Sequence, residues 1–319
     1  MTIAPITGDT AAALGLPASE LPLFLREEWR AIVGEGYERL GVFNKDGRAI
    51  AAFNLHRTRR AGLRLISHPA HTQHCGLWRK RGASNPAKAV SEAKKLHALL
   101  ADHLLAQDGM VHLAFPPEEN DLQPWAWKGF KVVAQWTYRI DLSAGMDAVR
   151  AGYEAEQRNA IRKSRTGGAE VVRTEDPERV LACVRRTFVR KGKGLNEDIA
   201  TAMMRAFLRE GSGSAFVTTE NGHDTAGAFC ARDARTAYYL LGGVDKAKAS
   251  AGAGALAVDA CIAQAQVEGL SVFDFEGSML PEVERYFRSF GGTPTPYFTV
   301  NRAAFVTEVA LKRKLRHLF

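Results

Sequence analysis

The sequence of 319 residues is long enough for two hydrophobic cores of ordinary domain size, so we expect two domains. Its formal net charge of +8 at pH 7 favours polyanionic or phosphorylated ligands. The cysteines form no C-x-x-C pair, so they indicate neither a zinc site nor a disulfide framework. We interpret them as buried thiols of a reducing compartment; they are Cys75, Cys183, Cys230 and Cys261.

The first residues show no basic segment followed by an apolar run, which is the pattern of a secretory signal. No stretch of the chain approaches ~18 uninterrupted apolar residues. We therefore expect a soluble, cytoplasmic protein without stable membrane insertion.

The first half of the chain has the pattern of one mixed α/β unit, and we place its end at residue 144. An Asp46-Gly47 turn between two apolar stretches predicts a β-hairpin. The predicted elements are a helix over 19–33, a hairpin over 40–53, a strand over 63–66, a helix over about 86–106, a strand over 110–115 and a strand pair that ends at Leu142.

The second half, residues 145–319, repeats this order, which indicates tandem domains from an internal duplication. Its Asn221-Gly222 turn occupies the place of Asp46-Gly47. The predicted elements are helices over 146–166 and 176–209, a hairpin over 215–229, a strand over 237–243, a helix over 251–268, a strand over 272–276, a helix over 281–289, a strand over 297–300 and a basic helix over 303–318.

One part of this second half carries the strongest functional signal. The strand over 237–243 is followed by a helix with a start rich in glycine and alanine, and the strand over 272–276 ends in acid, glycine and hydroxyl residues. Open α/β sheets bind ligands at the carboxyl ends of their strands, and a helix N-terminus offers free N–H groups to an anion. We therefore predict the site here.

The order of elements and four motifs resemble a known family. The motifs are Pro69-x-x-Thr72-Gln73-x-x-Gly76, Arg158-Asn159-x-Ile161-Arg162-Lys163, Tyr238-Tyr239-Leu240-x-Gly242-Gly243, and Phe273-Asp274-Phe275-Glu276-Gly277-Ser278-Met279 continuing to Phe287–Gly292 and Pro296-Tyr297. Together they resemble the FemABX-like branch of the GNAT (Gcn5-related acyltransferase) superfamily, in which two GNAT-fold domains share one chain. The resemblance implies an α/β fold with mixed sheets and a donor site in the second domain.

The resemblance also implies aminoacyl or acyl transfer to an amine. In well-known members, aminoacyl-tRNA donates an amino acid to a peptidoglycan-precursor peptide; other relatives act in natural-product pathways or use acyl-CoA. The implied co-substrate is aminoacyl-tRNA, with no bound cofactor or metal, and the acceptor is a small-molecule or peptide amine.

The catalytic candidates lie on the two predicted strands of the site. Glu276, at the end of a buried strand, would have a raised pKa and suit the removal of a proton from an amine; otherwise it caps the next helix or pairs with Arg285. Asp274 alternates with Glu276, so both are expected on one face, where Asp274 orients its neighbours. Ser278 and Tyr239 are candidates to stabilise an oxyanion or protonate a leaving group, although strand tyrosines commonly only pack.

The start of the helix near residue 251 resembles the loop that holds the coenzyme A pyrophosphate in GNAT enzymes. Gly252-x-Gly254 is present, but Ala249 stands where that loop has arginine or glutamine, and Lys248 is offset by one residue. The alternative is close helix packing by small residues.

Several other residues are candidates for substrate binding. Phosphates would lie across Arg158, Arg162 and Lys163 on one helix, unless these form only a solvated basic face. The same two interpretations apply to the basic loop at Lys191. The resemblance adds Arg288 near the acyl donor and Tyr297. Gln73 and His74 are candidates to line the acceptor site.

Three histidines at three-residue spacing, His68, His71 and His74, lie in a predicted loop that has no carboxylate or thiolate set besides Cys75. This pattern favours a substrate-lining loop over a zinc site. The sequence also has no Gly-x-Ser-x-Gly motif, no P-loop and no dinucleotide fingerprint.

The leading prediction is therefore an aminoacyl-tRNA-dependent aminoacyltransferase that forms an amide bond. The first alternative is an acyl-CoA-dependent N-acyltransferase with the same residues. The second alternative is a non-catalytic binding module that retains the duplicated fold and a pocket. One scaffold supports many activities, so the fold does not choose among the three.

Overall fold

The computed structural model of the chain describes residues 1–60, 62–80, 82, 84–107, 109–192, 194–277, 279–304 and 307–309. The chain divides into two compact units, one formed by residues 1–135 with 296–319 and the other by residues 136–295. This division differs from the predicted boundary after residue 144. The reason is that the last strand of the chain pairs with a strand of the first unit, as Val300 lies opposite Leu113.

The elements up to residue 141 come in the following order. They are β1 (Thr2–Pro5), α1 (Thr10–Leu14), two 3₁₀ turns (Ala18–Glu20 and Leu23–Leu25), α2 (Glu27–Val33), β2 (Tyr37–Phe43), β3 (Ala49–Arg60), β4 (Leu63–Ser67), β5 (Trp78–Arg79), α3 (Pro86–Leu105), β6 (Met110–Ala114), α4 (Gln123–Trp127) and β7 (Lys131–Asp141).

The remaining elements follow in the same order as the chain. They are α5 (Met146–Ala151), α6 (Ala155–Thr166), β8 (Glu170–Arg173), α7 (Pro177–Arg190), α8 (Glu197–Arg209), β9 (Gly213–Glu220), β10 (His223–Arg232), β11 (Thr236–Val244), α9 (Ala253–Val267), β12 (Val272–Asp274), α10 (Pro281–Arg288) and β13 (Thr293–Arg302).

The first unit is a mixed sheet packed against helix α3. Its strands lie in the order β1-β2-β3-β4-β6-β13, and β5 pairs with β3 at Ala51 and Ala52. Helix α3 begins where the Asn85 side chain accepts a hydrogen bond from the Lys88 N–H at 3.0 Å. Leu96, Leu100 and Leu104 recur at four-residue spacing and bury one face of the helix in the core.

The second unit has the strand order β7-β12-β11-β10-β9-β8. Strand β12 pairs antiparallel with β7 and parallel with β11. Helix α9 is apolar on nearly all sides because it is buried between the sheet and α6. The hydrophobic core of the second unit includes Leu256, Ile262, Phe273, Phe275 and Phe290.

Most predicted elements are confirmed, with differences at their ends. The Asn221-Gly222 turn has two positive φ angles, 50° and 76°, as its sequence predicts, whereas in the first hairpin only Gly47 has a positive φ angle. The predicted helix over 19–33 is broken into two 3₁₀ turns and α2, and the strand pair before Leu142 is the single strand β7. The helices predicted over 146–166 and 176–209 are each divided into two, and most of the predicted helix over 303–318 falls outside the described residues.

No helix in the described part of the chain combines the length and the apolar character needed to span a bilayer.

Candidate active site

The site of the second unit is built where strands β11 and β12 part. The two strands pair over only three positions, the last of which joins Tyr238 and Asp274. Strand β11 continues to Val244, so within the described residues its backbone has no ladder partner on the β12 side after Tyr238. The Val244 N–H donates to Thr187 Oγ1 at 2.8 Å. A backbone N–H of β11 before Val244 that faces the gap can donate to a carbonyl oxygen placed there.

A β-bulge lies on the opposite side of β11 at the same level. Leu241 pairs with Phe229 and Tyr239 pairs with Cys230, which leaves Leu240 as the extra residue. A bulge bends its strand and redirects the neighbouring groups. The irregularity therefore lies where β11 leaves β12.

Glu276 lies two residues beyond the last β11–β12 pair and has a φ angle of 62°. This left-handed conformation is costly for a residue with a side chain and persists where neighbours hold it. The Glu276 N–H donates to Asp274 Oδ1 at 2.9 Å, and the Gly277 N–H donates to Thr137 Oγ1 at 2.9 Å. The prediction that Asp274 and Glu276 alternate along one strand is therefore wrong, because the strand ends at Asp274.

The surroundings of Glu276 favour its protonated form. Burial raises the pKa of the Glu276 carboxyl well above its ordinary value, and the nearby carboxylates of Asp274 and Asp233 raise it further, while the Arg139 guanidinium opposes them. A carboxylate with a raised pKa is a stronger base than an ordinary one. The carboxylate form of Glu276 is thus a better proton acceptor than that of an ordinary glutamate.

The raised pKa of Glu276 predicts an effect on stability. The folded protein holds this proton more tightly than the unfolded chain, so the free energy of unfolding should fall as pH rises from the ordinary carboxyl pKa through the raised one. Glu276→Gln removes this contribution. We expect the variant to gain stability over the parent across that pH range, with no such gain below it, in urea denaturation at several pH values. A difference in the free energy of unfolding between parent and variant that stays constant with pH would contradict the raised pKa of Glu276.

Asp274 is a positioning residue in this geometry. It is 3% exposed and forms an ion pair with Arg139, whose Nε lies 2.6 Å from Asp274 Oδ2. The Thr137 hydroxyl donates to Asp274 Oδ1 at 2.6 Å. Both carboxylate oxygens are therefore engaged, and together they fix the backbone on which Glu276 is carried.

The ring of Tyr239 packs beside the segment of chain that carries Glu276. The ring packs edge-on against Phe275 and Phe287, with both centroid distances at 5.9 Å. Its hydroxyl lies over Gly242, where any Cβ atom would overlap it. Burial raises the pKa of the Tyr239 hydroxyl, so the group stays protonated and is available as a donor. Ser278, the remaining catalytic candidate, lies outside the described residues.

The glycines of the helix start face protein rather than open space. A Cβ on Gly252 would collide with the carbonyl of Ala160 on α6, and one on Gly254 would lie 2.6 Å from Val244 Cγ2. Close packing therefore accounts for both glycines. Lys248 is exposed on the preceding turn.

The Glu220 carboxylate lies beside the turn that precedes α9. The Ser250 N–H donates to Glu220 Oε2 at 3.1 Å, and the Thr225 hydroxyl donates to the same oxygen at 2.5 Å. Although burial opposes it, these hydrogen bonds lower the pKa of Glu220, so the group is an anion. A phosphate placed beside Ser250 would meet this negative charge.

The basic candidates of the second unit have different surroundings. Arg158 donates to the carbonyl of Ala151 at 3.0 Å, whereas Arg162 contacts the Asn159 side chain at 3.0 Å. Arg288 is held by two carboxylates, Glu154 at 2.6 Å and Glu284 at 3.1 Å. The remaining candidates are both exposed: Lys163 lies on α6, and Lys191 follows the last residue of α7.

Three substrate-binding candidates belong to the first unit. His74 is buried, and its Nδ1 accepts a hydrogen bond from the Gly76 N–H at 3.1 Å. The side-chain oxygen of Gln73 is buried without a hydrogen-bond partner among the described residues. Tyr297 is partly buried on β13.

Sequence analysis did not predict the residues that surround Asp274 and Glu276. Arg139 and Thr137 lie on β7, and Asp233 lies before β11 and accepts a hydrogen bond from the Tyr238 hydroxyl at 2.8 Å. The available signal for Arg139 was its place between Tyr138 and Ile140, since a charged residue between two buried neighbours needs a partner. The described residues contain no group of three or more His, Cys, Asp or Glu side chains placed to hold a metal ion.

Comparison with known families agrees with this geometry. Residues 152–288 match the family model described as an acetyltransferase (GNAT) domain, and this range contains β11, β12 and Glu276. The family model thus identifies a GNAT domain in residues 152–288. A search of the curated proteins found no significant match.

Solved structures extend the similarity to the whole chain. FemX has a TM-score of 0.66 and 15% identity, over 98% of this chain and 99% of that one. The C-terminal domain (DUF2156) of a putative lysylphosphatidylglycerol synthetase from Agrobacterium fabrum has a TM-score of 0.56 and 12% identity, over 94% and 95%. A GNAT-family acetyltransferase from Colwellia psychrerythraea has a TM-score of 0.52 and 12% identity, over 95% and 100%. Residues 152–288 thus match a GNAT domain and the whole chain shares the fold of FemX, in agreement with the resemblance to the FemABX-like branch that the motifs indicated.

Proposed function

We propose that this protein transfers an aminoacyl group from aminoacyl-tRNA to an amine and forms an amide bond, with Glu276 as the general base. The observation that carries the proposal is the position of Glu276. Its carboxyl, with a raised pKa, stands next to the gap between β11 and β12. A base and free backbone donors at one point are what amine acylation requires.

The reaction follows from these groups. Glu276 removes a proton from the attacking ammonium, and the freed nitrogen lone pair forms a bond to the ester carbonyl carbon. Backbone N–H groups of β11 after Tyr238 stabilise the negative oxygen of the tetrahedral intermediate. The C–O bond to the tRNA ribose then breaks, and the leaving oxygen takes a proton from Glu276 or the Tyr239 hydroxyl. The nitrogen of the intermediate loses its second proton to solvent, and the proton that Glu276 took from the ammonium ends on the leaving oxygen, directly or by replacing the one given by Tyr239. The products are therefore an amide, uncharged tRNA and one proton released to solvent.

The surroundings of α9 support tRNA over coenzyme A as the donor. Glu220 binds the Ser250 N–H, and Gly252 is packed against Ala160, so the loop offers a pyrophosphate a negative charge and little room. The net charge of +8 favours a donor with many phosphates. The resemblance to the FemABX-like branch implies the same donor.

An acyl-CoA donor is the second candidate function. It is favoured by the matched family model, whose description is an acetyltransferase, and by the presence of Gly252-x-Gly254. The acid–base chemistry at Glu276 would be unchanged. Only the source of the acyl group would differ.

The acceptor we propose is an amine of a peptidoglycan-precursor peptide or of a natural-product intermediate. The proposed protein needs no bound cofactor, because the ester of the donor is already activated.

Filter binding to charged and uncharged bulk tRNA at physiological salt, with coenzyme A as competitor, tests the choice of donor. We expect charged tRNA to bind more tightly than uncharged tRNA. Coenzyme A at millimolar concentration should leave the binding of charged tRNA unchanged, because Glu220 repels the pyrophosphate of coenzyme A. Direct binding of coenzyme A together with weak, salt-sensitive tRNA binding would favour the acyl-CoA function instead.

A further inference from the structure

A second feature of the same unit is a cavity of about 420 Å³ beside helices α5, α6 and α9. Four arginines line it, one from α5 and three from α6, and the only acidic residue in its lining is Asp259 on α9. Tyr153 and Ile161 supply apolar wall. The lining is thus strongly basic and partly apolar.

Asp259 holds two of the arginines in place. It is 1% exposed, and Arg150 donates to both of its oxygens at 2.9 Å. Arg165 donates to the same carboxylate at 3.2 Å, and the Tyr153 hydroxyl donates to it at 3.1 Å. One carboxylate neutralises one positive charge, so the cavity keeps an excess of positive charge held in a fixed geometry.

The α6 arginines lie on one face of their helix. Arg158, Arg162 and Arg165 are separated by four and three residues, a spacing that brings side chains together. Arg158 caps a carbonyl of α5, and Arg165 binds Asp259. The hydrogen bond recorded for Arg162 joins its Nη2 to the Asn159 side chain at 3.0 Å, so its guanidinium has several donors to offer a ligand.

The cavity lies close to the start of α9. The Ser164 and Ser250 hydroxyls are 2.6 Å apart, which ties the end of α6 to the turn before α9. Asp259 follows the first residue of α9 by six positions, a rise of about 9 Å along the helix. These contacts join the lining of the cavity to the turn that links β11 to α9.

We infer that this cavity binds a phosphate group of the acyl donor, and specifically a phosphodiester of the RNA strand. This inference rests on the proposed aminoacyl transfer. Guanidinium groups bind phosphate oxygens in pairs, and the apolar wall of Tyr153 and Ile161 suits the sugar or base next to that phosphate. Coenzyme A also carries phosphates, so the experiment must separate the two sources.

The experiment measures binding of labelled bulk tRNA to the full chain between 50 and 200 mM salt. Arg162→Gln should weaken binding by about tenfold, as expected for the loss of a charged hydrogen bond. It should also reduce the slope of log K against log salt by about 0.7–0.9, the value for one phosphate contact. Arg162→Glu should weaken binding further. Arg173→Gln, at an exposed arginine of the same unit outside the cavity, is the control and should leave both quantities unchanged.

Equal affinity and equal slope in the parent, Arg162→Gln and Arg173→Gln would overturn the inference. So would loss of coenzyme A binding, with unchanged tRNA binding, in Arg162→Gln. Amide formation from charged tRNA is measured in parallel, and Arg162→Gln should raise KM while kcat stays near that of the parent. Failure of the parent to form amide, with the binding changes intact, would count against the proposed function and not against the phosphate site.

Discussion

Glu276→Gln is expected to lower kcat/KM for amide formation by about 10²–10⁴-fold, which is the usual contribution of a general base. Glutamine keeps the size of the side chain and its capacity for hydrogen bonds but takes up no proton from an ammonium. The measurement is the initial rate of transfer at saturating donor and varied acceptor. Circular dichroism checks that the variant is folded.

The pH dependence of the same reaction adds an independent test. The parent rate should fall as pH drops through the pKa of Glu276, because the protonated carboxyl is no longer a base; that pKa lies well above the ordinary carboxyl value. The residual rate of Glu276→Gln should lack this step. Glu282→Gln, an exposed residue in the first turn of α10, is the matched control and should keep the parent rate and profile. A parent-like rate in a folded Glu276→Gln variant would remove Glu276 from the mechanism.

Asp274→Ala is expected to lower the free energy of unfolding by about 3–5 kcal/mol, because it breaks the buried ion pair between Asp274 and Arg139. The Asp274 side chain is 4% exposed and that of Arg139 17%, so water replaces little of the lost interaction. The variant also removes the acceptor for the Glu276 N–H and the Thr137 hydroxyl. Urea denaturation measures the loss.

A surface ion pair provides the comparison for Asp274. Glu175 lies 3.7 Å from Arg173, and both side chains are about half exposed or more. Glu175→Ala should therefore change the free energy of unfolding by less than about 1 kcal/mol. If the two alanine variants lost the same stability, Asp274 would not be the buried anchor that the contacts indicate.

Local signals in the sequence were sufficient for most of the fold. The Asn221-Gly222 turn and the spacing of apolar residues each depend on neighbours within a few positions. The limits of the second unit were harder to place, because β13 pairs with β6 across almost 190 residues of sequence. No local pattern encodes such a pairing.

In the candidate site, too, some features were predictable from the sequence and others were not. Glu276 and Asp274 stand out as acids at the end of an apolar strand, which is visible in the sequence. The left-handed backbone of Glu276 was not predictable, because it depends on Thr137 and Asp274 holding two successive N–H groups. The glycines at 252 and 254 illustrate the reverse case: their motif indicated a phosphate loop, and only the position of Ala160 and Val244 reveals close packing.

The most direct test of the central claim is a transfer assay with bulk tRNA charged with labelled amino acids and a mixture of peptidoglycan-precursor peptide and small amines. Mild alkali releases the ester from tRNA but leaves an amide intact, so the alkali-stable label measures the product. We predict alkali-stable product from charged tRNA with the parent protein, little with Glu276→Gln, and none when labelled acetyl-CoA is the donor. Product from acetyl-CoA alone, or equal product from the parent and Glu276→Gln, would contradict the proposed function.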